Sequence, residues 1–139
     1  MRRHSILLAA AMILAACAPQ PDGTLRPFTH ADGHAAVDRA FADLGPAALA
    51  CAHGVAARES NHWPYAGWGR KYKGMFQMHD GFAGSYQAGA ALLAQAGEPG
   101  HFASPHDPYV QALAARIAYD AAGGSWRANW PQTVPGGCP

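Results

Sequence analysis

Residues 46–60, PAALACAHGVAARES, follow a Gly45-Pro46 break and read as one continuous helix. Proline fits the first helical position, where its missing N–H is an orphan in any case, and Leu49, Ala52, Val55 and Ala56 recur at helical spacing. Glu59 then falls at the C-terminal end of the helix. Downstream, Asn61–Tyr72 (NHWPYAGWGRKY) crowds Gly, Pro and aromatic residues, the composition of a long ordered loop or small β-hairpin lining a surface. Lys73–Met78 reads as a short strand or turn. Ser85–Ala96 (SYQAGAALLAQA) reads as a helix closed by Gly97 and Pro99. Asp107 and Pro108 supply the cap and first residue of a last helix with an apolar stripe of Val110, Leu113, Ala114 and Ile117, ended by Gly123-Gly124. Upstream, Ala35–Leu44 reads as a short helix through Val37, Phe41 and Leu44. Strict apolar alternation is too short anywhere for a sheet-dominated fold, so the expected class is mainly α, about five helices with minimal β structure.

The length of 139 residues suits one domain with a sizeable core. Charged residues make up 14% of the chain and its formal net charge is +1. Loss of Arg2 and Arg3 would leave eight basic against nine acidic residues. No basic surface of the kind nucleic acid requires is present, and an aromatic-rich, near-neutral surface suits an uncharged ligand such as a sugar.

Residues 2 and 3 are Arg, Ile6–Ala16 is an apolar run, and Leu14-Ala15-Ala16-Cys17 closes it. The run is shorter than the ~20 residues of a membrane-spanning helix. It resembles a lipoprotein signal, with residues 14–17 similar to the lipobox that precedes a lipid-bearing cysteine. The resemblance implies a signal peptide over residues 1–16, lipidation of Cys17 with membrane attachment through that lipid, and a flexible tether to residue 33. The folded domain would then occupy residues 34–139. Ala18 after the cysteine resembles outer-membrane-directed lipoproteins, which implies a cell-envelope location facing the periplasm. With Cys17 so assigned, the remaining pair Cys51 and Cys138 in an exported domain reads as a disulfide.

Glu59 and Glu98 are the only glutamates. Glu98 lies in a Gly-Glu-Pro-Gly turn and reads as a solvated loop residue. Glu59 precedes Trp63, Tyr65 and Trp68, and a carboxylic acid desolvated among aromatic rings can keep its proton near neutral pH and deliver it to a glycosidic oxygen. Trp63, Tyr65, Trp68 and Tyr72 offer flat rings for sugar stacking or for packing.

Ala57-Arg58-Glu59-Ser60-Asn61, followed by Gly74-Met75-Phe76-Gln77-Met78 and by Ala118-Tyr119 on a later helix, resembles the lysozyme-like lytic transglycosylases. The ending Ser125-Trp126 to Trp130 with its late cysteine is similar to the resuscitation-promoting-factor branch, where a disulfide ties the tail to the core. The resemblance spans roughly Leu44–Cys138. It implies Glu59 as catalytic acid/base and a cleft floor at Gly74, Phe76 and Gln77, in which Phe76 and Met75 supply packing, one side inward and one toward the cleft; substrate contacts are expected from Ser60 and, by their flat rings, from Trp63, Tyr65 and Tyr72. Tyr119 would hold the carboxyl or pack in the core. The implied substrate is the peptidoglycan glycan strand, cut at the β-1,4 bond after N-acetylmuramic acid with formation of 1,6-anhydromuramyl ends, a reaction one carboxylate can serve without a cofactor. The chain departs from many relatives at Ala66-Gly67-Trp68-Gly69, and Arg70, Lys71 and Lys73 suit acidic peptide stems.

Two alternatives stand beside this reading. One is a hydrolytic muramidase of the same fold with Asp80 as second carboxylate, and the other is a peptidoglycan-binding lipoprotein without catalysis. The eight histidines show no zinc-type pairing such as His-Glu-x-x-His. His101 and His106 bracket a loop only loosely, so no metal site is expected.

Overall fold

The computed structural model describes residues 26–139. The signal-peptide reading, Cys17 and most of the tether lie outside the described residues. The architecture is mainly α: α1 (His30–Phe41), α2 (Pro46–Ser60), α3 (Ala83–Gln95) and α4 (Pro108–Ala121), with short 3-10 turns at Ala42–Leu44 and Asp80–Phe82. The only β feature among the described residues is an antiparallel bridge between Lys73 and Met78. Four α-helices replace the five expected, because the Asn61–Met78 and Ser125–Pro139 segments are organised by turns.

Local signals fix the helix limits. Asp107 caps α4 by accepting from the N–H groups of Tyr109 (3.0 Å) and Val110 (3.2 Å), and Pro108 takes the first position as expected. Such a cap contributes about 1 kcal/mol. Helix α2 runs from Pro46 to Ser60 and ends where Asn61 turns left-handed, with φ 53°.

The start of α1 corrects the sequence reading. Thr29 and Asp32 form a capping box, and Arg26 grips Asp32 through two hydrogen bonds of 2.7 and 2.9 Å. Ordered structure therefore reaches back to residue 26, well inside the span read as tether, because the Thr-x-x-Asp pattern satisfies the first turn's free N–H groups.

Helix α4 is the central element, packed against α1 and α3, while α2 packs on α1. Its alanines at 112, 114, 115 and 118 are buried and leave room for close approach. Around its C-terminal half an aromatic core gathers Phe41, Phe76, Tyr119, Trp126 and Trp130, with Trp126 at 4.8 Å from Tyr119 and 5.2 Å from Phe41 between ring centroids. The C-terminal tail returns over α2 and is closed by the Cys51–Cys138 disulfide, as expected. Closing a loop of 87 residues in sequence contributes ~4 kcal/mol on the chain-entropy account. No helix among the described residues is long and apolar enough to cross a membrane.

Candidate active-site cleft

A cleft of about 620 Å³ opens between the end of α2, the 72–82 segment and the tail. Glu59, Tyr72, Gln77, His79 and Phe82 line one part of it, and Ala128–Thr133 the other. Glu59 is half-buried, and its Oε1 accepts a 2.5 Å hydrogen bond from the Thr133 hydroxyl. The neighbouring Arg58 donates to the carbonyls of Thr133 (3.3 Å) and Val134 (3.1 Å). Two consecutive residues of α2 thus hold the tail in place, one by its backbone and one by its side chain.

The floor is the Gly74–Gln77 turn, closed by paired hydrogen bonds of 3.1 Å between Lys73 and Met78. Buried Gln111 of α4 clamps it: its Nε2 donates to the Lys73 carbonyl (2.8 Å) and its Oε1 accepts from the Phe76 N–H (3.1 Å). Trp130 Nε1 donates to the Phe76 carbonyl (2.8 Å), and Ser60 Oγ to the Met75 carbonyl (2.9 Å). Gly74 is required by this arrangement. It has φ +73°, and a Cβ there would lie 1.9 Å from Gln111 Nε2 and 2.2 Å from the Pro105 carbonyl. The Lys73, Met75 and Phe76 carbonyls and the Phe76 N–H each meet a side chain from outside the turn, which holds the turn rigid.

The structure sorts the residues expected from sequence. Glu59, Tyr72 and Gln77 come together at the cleft. Gln77 sits at φ 47° and returns its Nε2 to the Gly74 carbonyl (2.8 Å). Gly74 and Ser60 belong to the floor's scaffolding instead of its surface, Ser60 because its hydroxyl is committed to carbonyls. Phe76, expected in the cleft floor, is fully buried and does not reach the cleft surface; its ring packs on Phe41, Trp126 and Trp130. Tyr119 takes the core alternative, T-shaped on Phe41 and against Trp126.

Trp63, Tyr65 and Trp68 do not line the cleft. Trp63 stacks on His30 (4.7 Å), Trp68 on His106 (4.5 Å), and Tyr65 lies between the tryptophans while its hydroxyl accepts from the Phe28 N–H. The rings that do line the cleft are Tyr72, Phe82 and Trp130. Asp80 lies outside the lining, its side chain 86% exposed and paired with Lys73.

Sequence reasoning did not place Thr133, Trp130, His79 or Gln111 at the site. Gln111 alone left a signal: an amide one turn below Ala115 on a helix otherwise apolar toward the core. Thr133 is 74 residues from Glu59, and only the fold brings it there. His79 Nδ1 accepts from the Gly81 N–H (2.9 Å), so its Nε2 carries the proton of the neutral ring.

The histidines fall out differently from expectation. His101 and His106 do not converge: His101 bonds the capping Asp107 (2.7 Å) and His106 donates to the Pro64 carbonyl (3.0 Å). Instead His34 of α1, His53 of α2 and His62 gather, with ligand-capable nitrogens all within 4.8 Å of one another. Burial, then the neighbouring His34, His53 and His30, hold the His62 imidazole down to a pKa of about 4, so it is neutral at physiological pH.

No protein-family model, curated protein or solved structure matches the chain.

Proposed function

We propose that the chain is a lysozyme-like lytic transglycosylase that cuts peptidoglycan glycan strands in the bacterial cell envelope, with Glu59 as its acid/base. The observation that carries this reading is the cleft itself: Glu59 is the one carboxylate among its lining residues, and it projects from a helix end beside the Gly-Met-Phe-Gln floor. A single carboxylate suits a reaction in which one group both gives and takes the proton.

In the proposed step, protonated Glu59 donates to the leaving oxygen as the bond to the muramyl anomeric carbon breaks. The carboxylate then accepts the proton of the muramyl C6 hydroxyl as that oxygen bonds the anomeric carbon. The proton returns to Glu59 and no water is consumed. The Thr133 hydroxyl fixes one carboxylate oxygen, which leaves the other free for this exchange. Gln77 and Asn129 line the same cleft and offer amides to the acetamido and hydroxyl groups of the sugars, while Tyr72, at 48% exposure, offers a ring face for stacking. The position of Asp80 outside the cleft lining weighs against the muramidase alternative.

The lipid anchor and outer-membrane location belong to the same proposal and rest on the resemblance of residues 14–17 to a lipobox. The test is mass spectrometry of muropeptides released from purified sacculi by the protein and by Glu59→Gln. The expected result is 1,6-anhydromuramyl products that disappear in the variant. Reducing-end products would assign a muramidase, and binding without release by the wild type would assign a recognition module.

A further inference from the structure

Helix α1 presents His34 and Asp38 four residues apart, hence on one face, toward His53 of α2. His53 Nε2 donates to Asp38 Oδ1 (2.8 Å), and its Nδ1 lies 2.9 Å from His62 Nε2. The His34 ring stacks on that of His62 at 3.7 Å between centroids. Three imidazoles from three segments therefore meet at one point, and a carboxylate orients the central one.

The meeting is built into the backbone. His62 has φ 59° directly after Asn61 at φ 53°, and two successive non-glycine residues in the left-handed region persist only where their surroundings hold them. Gly33 makes the approach possible, since a Cβ there would lie 2.3 Å from the His62 carbonyl oxygen. His62 is 3% exposed, and its Nδ1 has no hydrogen-bond partner.

We propose that His34, His53 and His62 bind one divalent transition-metal ion of zinc's class, with Asp38 as the carboxylate that orients His53. Neutral imidazole is a preferred ligand of such ions, and a carboxylate on the second ring nitrogen is the usual outer partner. At Zn–N distances of about 2.0–2.1 Å, two nitrogens on a tetrahedral ion lie about 3.3 Å apart. The His53–His62 separation is already close to this, and no pair exceeds it by more than about 1.5 Å. Exposed His34 has room to swing, and its open side leaves a fourth position for water. The histidines are separated by 19 and 9 positions, so no ligand motif marks them in the sequence. The site is independent of the cleft.

The test is calorimetric titration of the chelator-stripped full chain with Zn²⁺, with Co²⁺ absorption as a check on geometry. The expected result is one ion per chain at micromolar or tighter affinity and an intense tetrahedral Co²⁺ spectrum. His34→Gln and His53→Gln should each weaken binding at least about 10-fold, with Asp38→Asn weakening it by a similar factor and dulling the Co²⁺ spectrum while the stoichiometry stays at one. His79→Gln, outside the cluster, should bind as wild type. Saturating Zn²⁺ should raise the melting temperature by about 5 °C. His34 is exposed, so His34→Gln keeps the fold testable even if His53→Gln does not. Absence of one-to-one binding, or a folded His34→Gln that binds Zn²⁺ as tightly as wild type, overturns the proposal.

Discussion

The cleft floor and the imidazole cluster both lean on α2, yet they are built on opposite terms. At the floor, Gln111, Trp130 and Ser60 meet the backbone groups of the 73–78 turn one by one. In the cluster, the partners are titratable rings and one carboxylate, and the His62 ring keeps a buried nitrogen unmet. Each region also depends on one glycine that lets two backbone segments close, Gly74 in the first and Gly33 in the second. A network of backbone groups each met by a fixed partner serves as scaffolding, whereas converging imidazole nitrogens can serve as ligand atoms. The same physical rule, that buried polar groups must find partners, yields a support in one place and a receptor in the other.

The sharpest way to break this contrast is Gly74→Ala. Its Cβ meets both Gln111 and a backbone carbonyl, at a positive φ, so we expect a loss of about 4 kcal/mol or more in urea unfolding, or failure to fold. Gln111→Leu comes next. It strands the Phe76 N–H and takes from the Lys73 carbonyl one of its two donors, the other being Met78 N–H, and should cost about 3 kcal/mol by the same measurement. Cluster and floor would not differ in kind if this loss were under about 1 kcal/mol.

Gly33→Ala tests the second region. Its backbone angle is unstrained, but its Cβ overlaps the His62 carbonyl, so about 2 kcal/mol is expected, together with weakened Zn²⁺ binding and a cleft that still releases muropeptides. Loss of muropeptide release with Zn²⁺ binding intact would reverse the assignment of the two regions. The smallest effect is expected from Thr133→Val, which removes the hydroxyl from Glu59. Turnover should fall about 10-fold, or about 1.4 kcal/mol, with the Michaelis constant unchanged and stability within about 1 kcal/mol of wild type. A change confined to the Michaelis constant would make Thr133 a substrate contact instead of a positioning residue.

Much of the helical frame was legible residue by residue. Pro46, Asp107-Pro108 and Gly97 act on their own turns of chain, so their signals survive without knowledge of the fold. The start of α1 was misjudged because prolines and glycines upstream masked the Thr29–Asp32 capping box. In the site, proximity in sequence misled. Trp63 and Tyr65 follow Glu59 closely, yet the left-handed pair Asn61-His62 redirects the chain, and their rings stack with His30 and His106. Aromatic residues far along the chain, Phe82 and Trp130, line the cleft instead. Phe76 and Tyr119 matched a motif by position, but the core had the larger claim on their apolar area.

By itself the sequence determined the helical class, the limits of three helices, the Cys51–Cys138 pair and the placing of Glu59 at a helix end, because each follows from covalent identity or from bonds that span a few residues. Tertiary structure alone decided that Thr133 holds Glu59, that Gln111 carries the floor and that His34, His53 and His62 share one point. Those contacts join segments up to 74 residues apart, and their distances depend on how closely α1, α2, α4 and the tail can pack, which no local pattern records.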